Sequence, residues 1–227
     1  MTIRELITPY FRRARRARKG GPDSFLGRVT GIVHVGANTG QERELYASLG
    51  LRVIWVEPIP QVFAELSANI QGLRGQRALQ ALVTDVDGKE YEFHVASNSG
   101  LSSSILDFKE HGDIWPDVHY ASTIRLRSLT LASLLERERV NPRKYQALVM
   151  DTQGSELLVL RGSLPILRHF RFIKTEVPDF EAYAGCCQLS DIGEFMAGNG
   201  YEEISRNEFA RRDGGGSYFD VVYRRTG

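Results

Sequence analysis

The chain has 227 residues, 42% of them hydrophobic and 25% charged, which excludes a disordered or fibrous protein and leaves one large domain or one domain with a tail. No run approaches the roughly 20 apolar residues of a bilayer-spanning helix, and no apolar leader is read at the N-terminus, so a cytoplasmic protein is expected. The only cysteines, Cys186 and Cys187, are adjacent, which excludes a disulfide framework.

The net charge of +1 conceals an asymmetry. Residues 1–30 hold eight Lys or Arg against Glu5 and Asp23, whereas the remainder holds 21 basic and 26 acidic residues. The expected division is therefore a basic N-terminal extension over residues 1–28 and a domain over residues 29–227. Ile3, Leu6, Ile7, Tyr10 and Phe11 follow helical spacing, interrupted at Pro9, and lead into the cationic run from Arg12 to Lys19. Such a helix either covers an edge of the domain or, through residues 1–19, contacts an anionic membrane or an acidic partner. A net acidic domain is a poor surface for phosphate backbones, so no nucleic-acid partner is expected.

The apolar run Ile32–Val35 reads as a buried strand ending at Gly36-Ala37-Asn38-Thr39-Gly40. A helical stretch follows, then a second strand, Val53–Val56, that ends in Glu57-Pro58. Glycines in such a turn let a ligand approach the backbone without meeting a Cβ, and an acid after the next strand can accept bonds from two ribose hydroxyls. A dinucleotide site, as in an NAD(P)-dependent oxidoreductase, wants G-x-G-x-x-G. Here Asn38 replaces the close-approach glycine, and Glu42 would repel a phosphate. S-adenosylmethionine carries no phosphate and suits this loop better. Gly36, Ala37, Asn38 and Gly40 are expected to hold its methionine part and Glu57 its ribose.

Helical spacing over Val62–Ile70 stops at Gln71-Gly72, and Arg77–Thr84 reads as a third strand whose end, around Ala81, should lie near adenine. Asp87-Gly88 reads as a hairpin turn into Tyr91–Val95. Asn98–Ser104 is a loop crowded with hydroxyls, and Ile105–Ala121 lacks a clean period. In this stretch Ser102, Ser103, Ser104 and Trp115 are candidate contacts for a methyl acceptor, and His111 and His119 are candidate general bases. His34 and His94 read as strand-face residues and His169 as a helix-end residue.

Farther on, Ile124–Leu129 is extended, Leu131–Arg137 is helical, and Ala147–Met150 is a core strand ending at Asp151. Glu156–Leu167 is a helix interrupted near Gly162, and Phe170–Val177 is a fifth core strand carrying Glu176. Ligands bind outside the carboxyl ends of such strands. Asp151 and Glu176 can there serve as base, hold Mg²⁺ or another divalent cation, or merely cap the following helices, and Asp151 is also a candidate contact for the donor. Tyr201–Arg206 and Ser217–Arg224 are too close for a parallel crossover, so they form an antiparallel hairpin on an otherwise parallel sheet.

On these residues the chain resembles the FkbM-type S-adenosylmethionine-dependent methyltransferases. The matching stretches are Val33-His34-Val35-Gly36-Ala37-Asn38-Thr39-Gly40-Gln41-Glu42, Trp55-Val56-Glu57-Pro58, the Asn98–Ser104 loop, Asp151-Thr152-Gln153-Gly154-Ser155-Glu156 and Lys174-Thr175-Glu176-Val177. The resemblance implies an α/β fold with the Rossmann-like sheet of class I methyltransferases, mostly parallel with a C-terminal antiparallel hairpin. It further implies O-methylation of a hydroxyl on a sugar, glycan or secondary metabolite. One departure stands out: many members have Asp-x-Glu-Gly-x-Glu, whereas Gln153 here replaces the first Glu. A non-catalytic adaptor acting through the basic N-terminus is the remaining alternative beside the oxidoreductase.

Overall fold

A computed structural model describes residues 22–227. The helix expected over residues 3–11 and the basic run from Arg12 to Lys19 lie outside them. Residues 24–28, assigned to the extension by charge, form a 3₁₀ turn that buries Phe25 and Leu26 in the domain.

Strand β1 (Gly31–Val35) pairs in parallel with β2 (Arg52–Glu57) on one side and with β7 (Ala147–Met150) on the other. Beyond β2 lies β3 (Gln76–Gln80); beyond β7 lies β8 (Phe172–Pro178), also parallel. The hairpin β9 (Tyr201–Arg211) and β10 (Ser217–Arg225) closes the sheet, with β10 antiparallel to β8. The order β3-β2-β1-β7-β8-β10-β9 is that of the class I methyltransferase sheet, with the expected terminal hairpin.

Both faces of the central strands are covered, which is why they read as continuous apolar runs. Val33, Val35, Leu148 and Met150 face one core with Leu131, Leu134, Val159, Leu160, Ile192 and Met196. These come from helices α3 (Leu131–Arg137), α4 (Glu156–Gly162) and α6 (Leu189–Gly198). Ile32, Val53, Trp55 and Val149 face the other core, under Phe25, Leu45, Tyr46 and Leu66 from the 3₁₀ turn, α1 (Arg43–Ser48) and α2 (Pro60–Asn69). Each such fully buried aliphatic side chain is worth roughly 1.5–3 kcal/mol over exposure.

Four expectations are corrected. Arg77–Thr84 is not one strand: after β3 the chain leaves the main sheet, and β4 (Leu82–Val83) joins β6 (Tyr120–Leu129) in a separate three-stranded sheet. Asp87-Gly88 does not close a hairpin, because β4 and β5 (Glu90–Ala96) flank β6 rather than each other. Strand β9 runs five residues past Arg206, held by its ladder to β10, so only residues 212–216 form the turn. The expected fifth strand includes Pro178, its last residue, which pairs with Tyr218. The break near Gly162 is real: α4 ends there and α5 (Leu164–Leu167) follows, and a Cβ on Gly162 would sit 2.1 Å from the Thr84 carbonyl oxygen.

Candidate active site

The reversal of strand order between β1 and β7 opens a crevice at their carboxyl ends, where open α/β sheets bind ligands. Gly36 leaves β1 with φ +76°, and a Cβ there would sit 1.7 Å from the Asp151 carbonyl oxygen. Only glycine lets the two strand ends abut. The Gly36 and Ala37 amides both donate to the Val56 carbonyl oxygen at 3.0 Å. Asn38 adopts φ +44°, a left-handed conformation tolerated by Asn, and its side-chain oxygen accepts from the Thr39 amide at 2.7 Å.

Glu57 ties this turn to β2. Its Oε2 accepts from the Asn38 amide and its Oε1 from the Ile59 amide, each at 2.9 Å. Burial pushes its proton affinity up to about 7, with the two amide bonds pulling the other way. Each carboxylate oxygen keeps a second lone pair for a ligand. A second loop, after β7, repeats the device with Glu156. Its Oε1 accepts from the Thr152 amide at 2.7 Å and its Oε2 from the Gly154 amide at 3.1 Å. The acid that bonds backbone amides here is thus Glu156 and not Asp151. Gln153 lies in this loop at φ +53°. Its Nε2 donates to Asp151 Oδ1 at 2.5 Å, and its Oε1 accepts from the Tyr183 hydroxyl.

A cavity of about 300 Å³ occupies the crevice. Of the residues expected at a donor site, Gly36, Ala37, Asn38, Glu57, Ala81 and Asp151 all line it. Gly40 does not; its turn packs on α2, where a Cβ would meet Leu66 at 2.8 Å. Phe93 and Leu101, not singled out from the sequence, also line it, as does Gln153, noted there as a departure from the family motif. A second cavity of about 310 Å³ lies beyond Asp151, with Lys174, Glu176, Phe209 and Asp220 on its lining. His34, Glu42 and Asp151 line both.

The two strand-end acids differ in setting. Asp151 stands at the junction, its proton affinity raised first by burial and then by neighbouring carboxylates. Glu176 lies in the second cavity, its carboxyl without a hydrogen-bond partner among the described residues, and burial, then Asp151, raises its proton affinity too. Lys174 Nζ pairs with Asp23 Oδ1 at 3.1 Å and Asp220 Oδ1 at 3.2 Å. A cation is therefore already built in where a divalent ion was expected. Among the described residues no group of three or more His, Cys, Asp or Glu is placed to hold a metal. With Lys174 in that place, the donor set does not fit Mg²⁺.

Other candidates are not brought to the cavities. His111 is buried in a 3₁₀ turn, stacked on Phe108 at 4.5 Å, with Nε2 3.1 Å from Ser102 Oγ. Burial lowers its pKa to about 4, which leaves a poor base at neutral pH. His119 is exposed, and Trp115 packs in an aromatic cluster with His111 and Tyr218. The serines are engaged in bonds within their loop and to its neighbours. Ser103 Oγ accepts from the Ala96 amide, Ser104 Oγ donates to the Gln153 carbonyl oxygen, and Ser102 Oγ accepts from Asn98. Of the three, only Ser103 reaches the first cavity. His34, read as a strand-face residue, is buried against Trp55 at 5.1 Å yet walls both cavities.

The sequence model of the methyltransferase FkbM domain matches residues 34–203, from the middle of β1 into β9. The chain belongs to the FkbM methyltransferase family. It is accordingly an S-adenosylmethionine-dependent methyltransferase, and the matched region contains both carboxylate-tied loops of the FkbM site. No curated protein matches the chain in sequence. Among solved structures it is similar to the METTL16 methyltransferase domain, at 12% identity and TM-score 0.51 over 89% of this chain and 64% of that one. It is also similar to Streptococcus pneumoniae Sp1610, described as a candidate tRNA (m1A22) methyltransferase, at 11% identity and TM-score 0.50 over 89% and 68%. A protein of Listeria monocytogenes serotype 4b matches at 10% identity and TM-score 0.50 over 90% and 66%. The FkbM chain thus spans about two thirds of the length of these structures, and the likeness is one of fold. No helix among its described residues is long and apolar enough to cross a membrane.

Proposed function

We propose that the enzyme methylates a hydroxyl of a polyol acceptor, such as a sugar or glycan, with Asp151 as general base. The observation that carries this reading is that two cavities meet at Asp151. The first suits the donor. Glycine backbone lines one end, Glu57 offers lone pairs to ribose hydroxyls, and Ala81, Leu82, Val83 and Phe93 supply an apolar slot for a base. The bound donor supplies an electrophilic methyl on a sulfonium.

The second cavity suits a hydroxylated ring. Lys174 and Asp220 can donate to and accept from ring hydroxyls, Glu176 has a free carboxyl, and Phe209 offers an exposed aromatic face at the mouth. An acceptor there meets the donor across Asp151, whose raised proton affinity suits it to take a hydroxyl proton near neutral pH. Gln153 holds the carboxylate in place by its amide, and Tyr183 holds Gln153.

Asp151→Asn keeps the shape and the bond from Gln153 but removes the base. Turnover should fall by about 10²–10⁴, while calorimetry with S-adenosylhomocysteine finds nearly unchanged donor affinity. Normal turnover in the folded variant would place the base elsewhere on the shared wall, at His34 or Glu42.

A further inference from the structure

A third cavity, of about 560 Å³, lies at the edge of the main sheet opposite the donor site. Strand length separates the two by roughly 15 Å, at about 3.3 Å per residue. Arg143 stands in the turn before β7, Arg168 after α5, Arg171 just before β8, and Arg225 at the end of β10. The four side chains line one cleft together with Gln146 and His169, and no carboxylate side chain lines it. Backbone bonds fix the segments relative to one another. The Arg171 amide donates to the Gln146 carbonyl oxygen at 2.7 Å, and the Arg225 amide to the Arg171 carbonyl oxygen at 3.0 Å.

Arg225 has internal partners, bonding the Arg168 carbonyl oxygen and the Gly227 oxygen. Arg143, Arg168 and Arg171 take part in no ion pair among the described residues. The adjoining hairpin behaves differently, since Arg206, Arg211 and Arg224 are each matched by Glu203, Glu208 and Glu202. Three guanidiniums gathered without a side-chain counter-charge repel one another, and that cost is relieved when an anion enters. His169 reports the crowding. Its pKa is lowered by burial and further by Arg168, Arg143 and Arg225. The imidazole is thereby kept neutral, able to donate or accept beside the guanidiniums.

We infer that this cleft binds a diphosphate group. A carboxylate offers two oxygens and one charge, which a single guanidinium satisfies. A diphosphate offers two to three charges and enough oxygens for several guanidiniums at once. The same group is presented by a soluble diphosphate ester and by a lipid whose headgroup is a diphosphate. Either would sit far from the methyl-transfer chemistry, so the site would localise or regulate the enzyme and leave the reaction itself unchanged.

The probe is inorganic pyrophosphate, titrated calorimetrically into the full chain and into the Arg168→Gln/Arg171→Gln variant. Both positions are exposed, so the variant should fold and bind S-adenosylhomocysteine like the parent. The expected result is salt-sensitive pyrophosphate binding that weakens about tenfold or more in the variant. Sedimentation with phosphatidylcholine vesicles, with and without a long-chain prenyl diphosphate, separates the two sources. Vesicle binding that needs the prenyl diphosphate and these arginines supports the headgroup; its absence beside pyrophosphate binding supports a soluble ligand. No pyrophosphate binding, or equal binding by both proteins, overturns the site and assigns any residual affinity to the basic run before residue 20. Binding of RNA alone overturns it as well. None of these outcomes depends on Asp151, so the methyl-transfer reading stands or falls separately.

Discussion

The loops after β1 and after β7 are built alike and used differently. Each sets one non-glycine residue in the left-handed region, Asn38 and Gln153, and each is tied by a buried glutamate accepting backbone amides, Glu57 and Glu156. Glu57 lines the first cavity with lone pairs to spare; Glu156 does not, and its further contacts are the Thr152 hydroxyl at 3.0 Å and the Cys187 thiol at 3.5 Å. The same side chain in the same local role thus reaches the cavity in one loop and only fastens backbone in the other. Exposure to the cavity, and not residue type, makes the difference.

Glu57→Gln attacks both duties at once and should have the largest effect. One backbone amide would face an NH₂ group, costing about 1–3 kcal/mol of stability. Loss of the charge-assisted ribose bonds should also weaken donor binding about tenfold to a hundredfold. The stability cost has a pH signature. Glu57, Asp151 and Glu176 all bind protons more tightly folded than unfolded. Their contribution is fully present below the unfolded value near 4.5 and is lost as pH rises through about 7. Wild-type melting temperature should therefore decline over that window, and Glu57→Gln should flatten the decline. A variant that melts normally and binds S-adenosylhomocysteine normally would mean that Glu57 does neither job.

Glu156→Gln is expected to cost similar stability, about 1–3 kcal/mol, with donor affinity intact. If calorimetry shows affinity falling as far as in Glu57→Gln, the two loops do not differ as described. The smallest effect concerns Gln153→Glu, which restores the residue common in the family. It would place a carboxylate against Asp151 and raise its proton affinity further, so the rising limb of the pH–rate profile should move up by about one unit. An unmoved limb would remove Asp151 as the titrating base.

Much of the fold was legible because it rests on local pattern. Ala147–Met150 has the bounds expected of it, since four apolar residues before an acid leave little choice. The terminal hairpin followed from loop length alone. What escaped depends on distant partners. Leu82–Val83 looks like the tail of β3 and becomes a separate strand only because β6 passes beside it. Helix α6, with Gly193 inside and Gly198 at its end, carries weak intrinsic propensity and is held by the Gln188–Asp191 capping box and by Ile192 and Met196 in the core. In the site, Gly36, Asn38 and Glu57 were readable because their residue types are demanded by backbone conformation and charge. Ser102, Ser104 and His111 were misplaced for the opposite reason, since a hydroxyl or imidazole does not announce its partner. Glu156 stood in a recognised motif, yet its amide bonds appear only in three dimensions.

The neighbouring cysteines give the second loop a reporter. Cys186 and Cys187 are free and buried, and burial pushes both thiols up from their usual range, Cys187 the further. Only the thiolate attacks alkylating reagents, so neither reacts while the loop is closed. Cys187 Sγ lies 3.5 Å from the Gly154 carbonyl oxygen, and exposing it requires that contact to part. The rate at which a maleimide marks the native chain therefore clocks openings of the wall that holds Asp151. Slower marking under saturating S-adenosylhomocysteine would show the ligand clamping that wall shut.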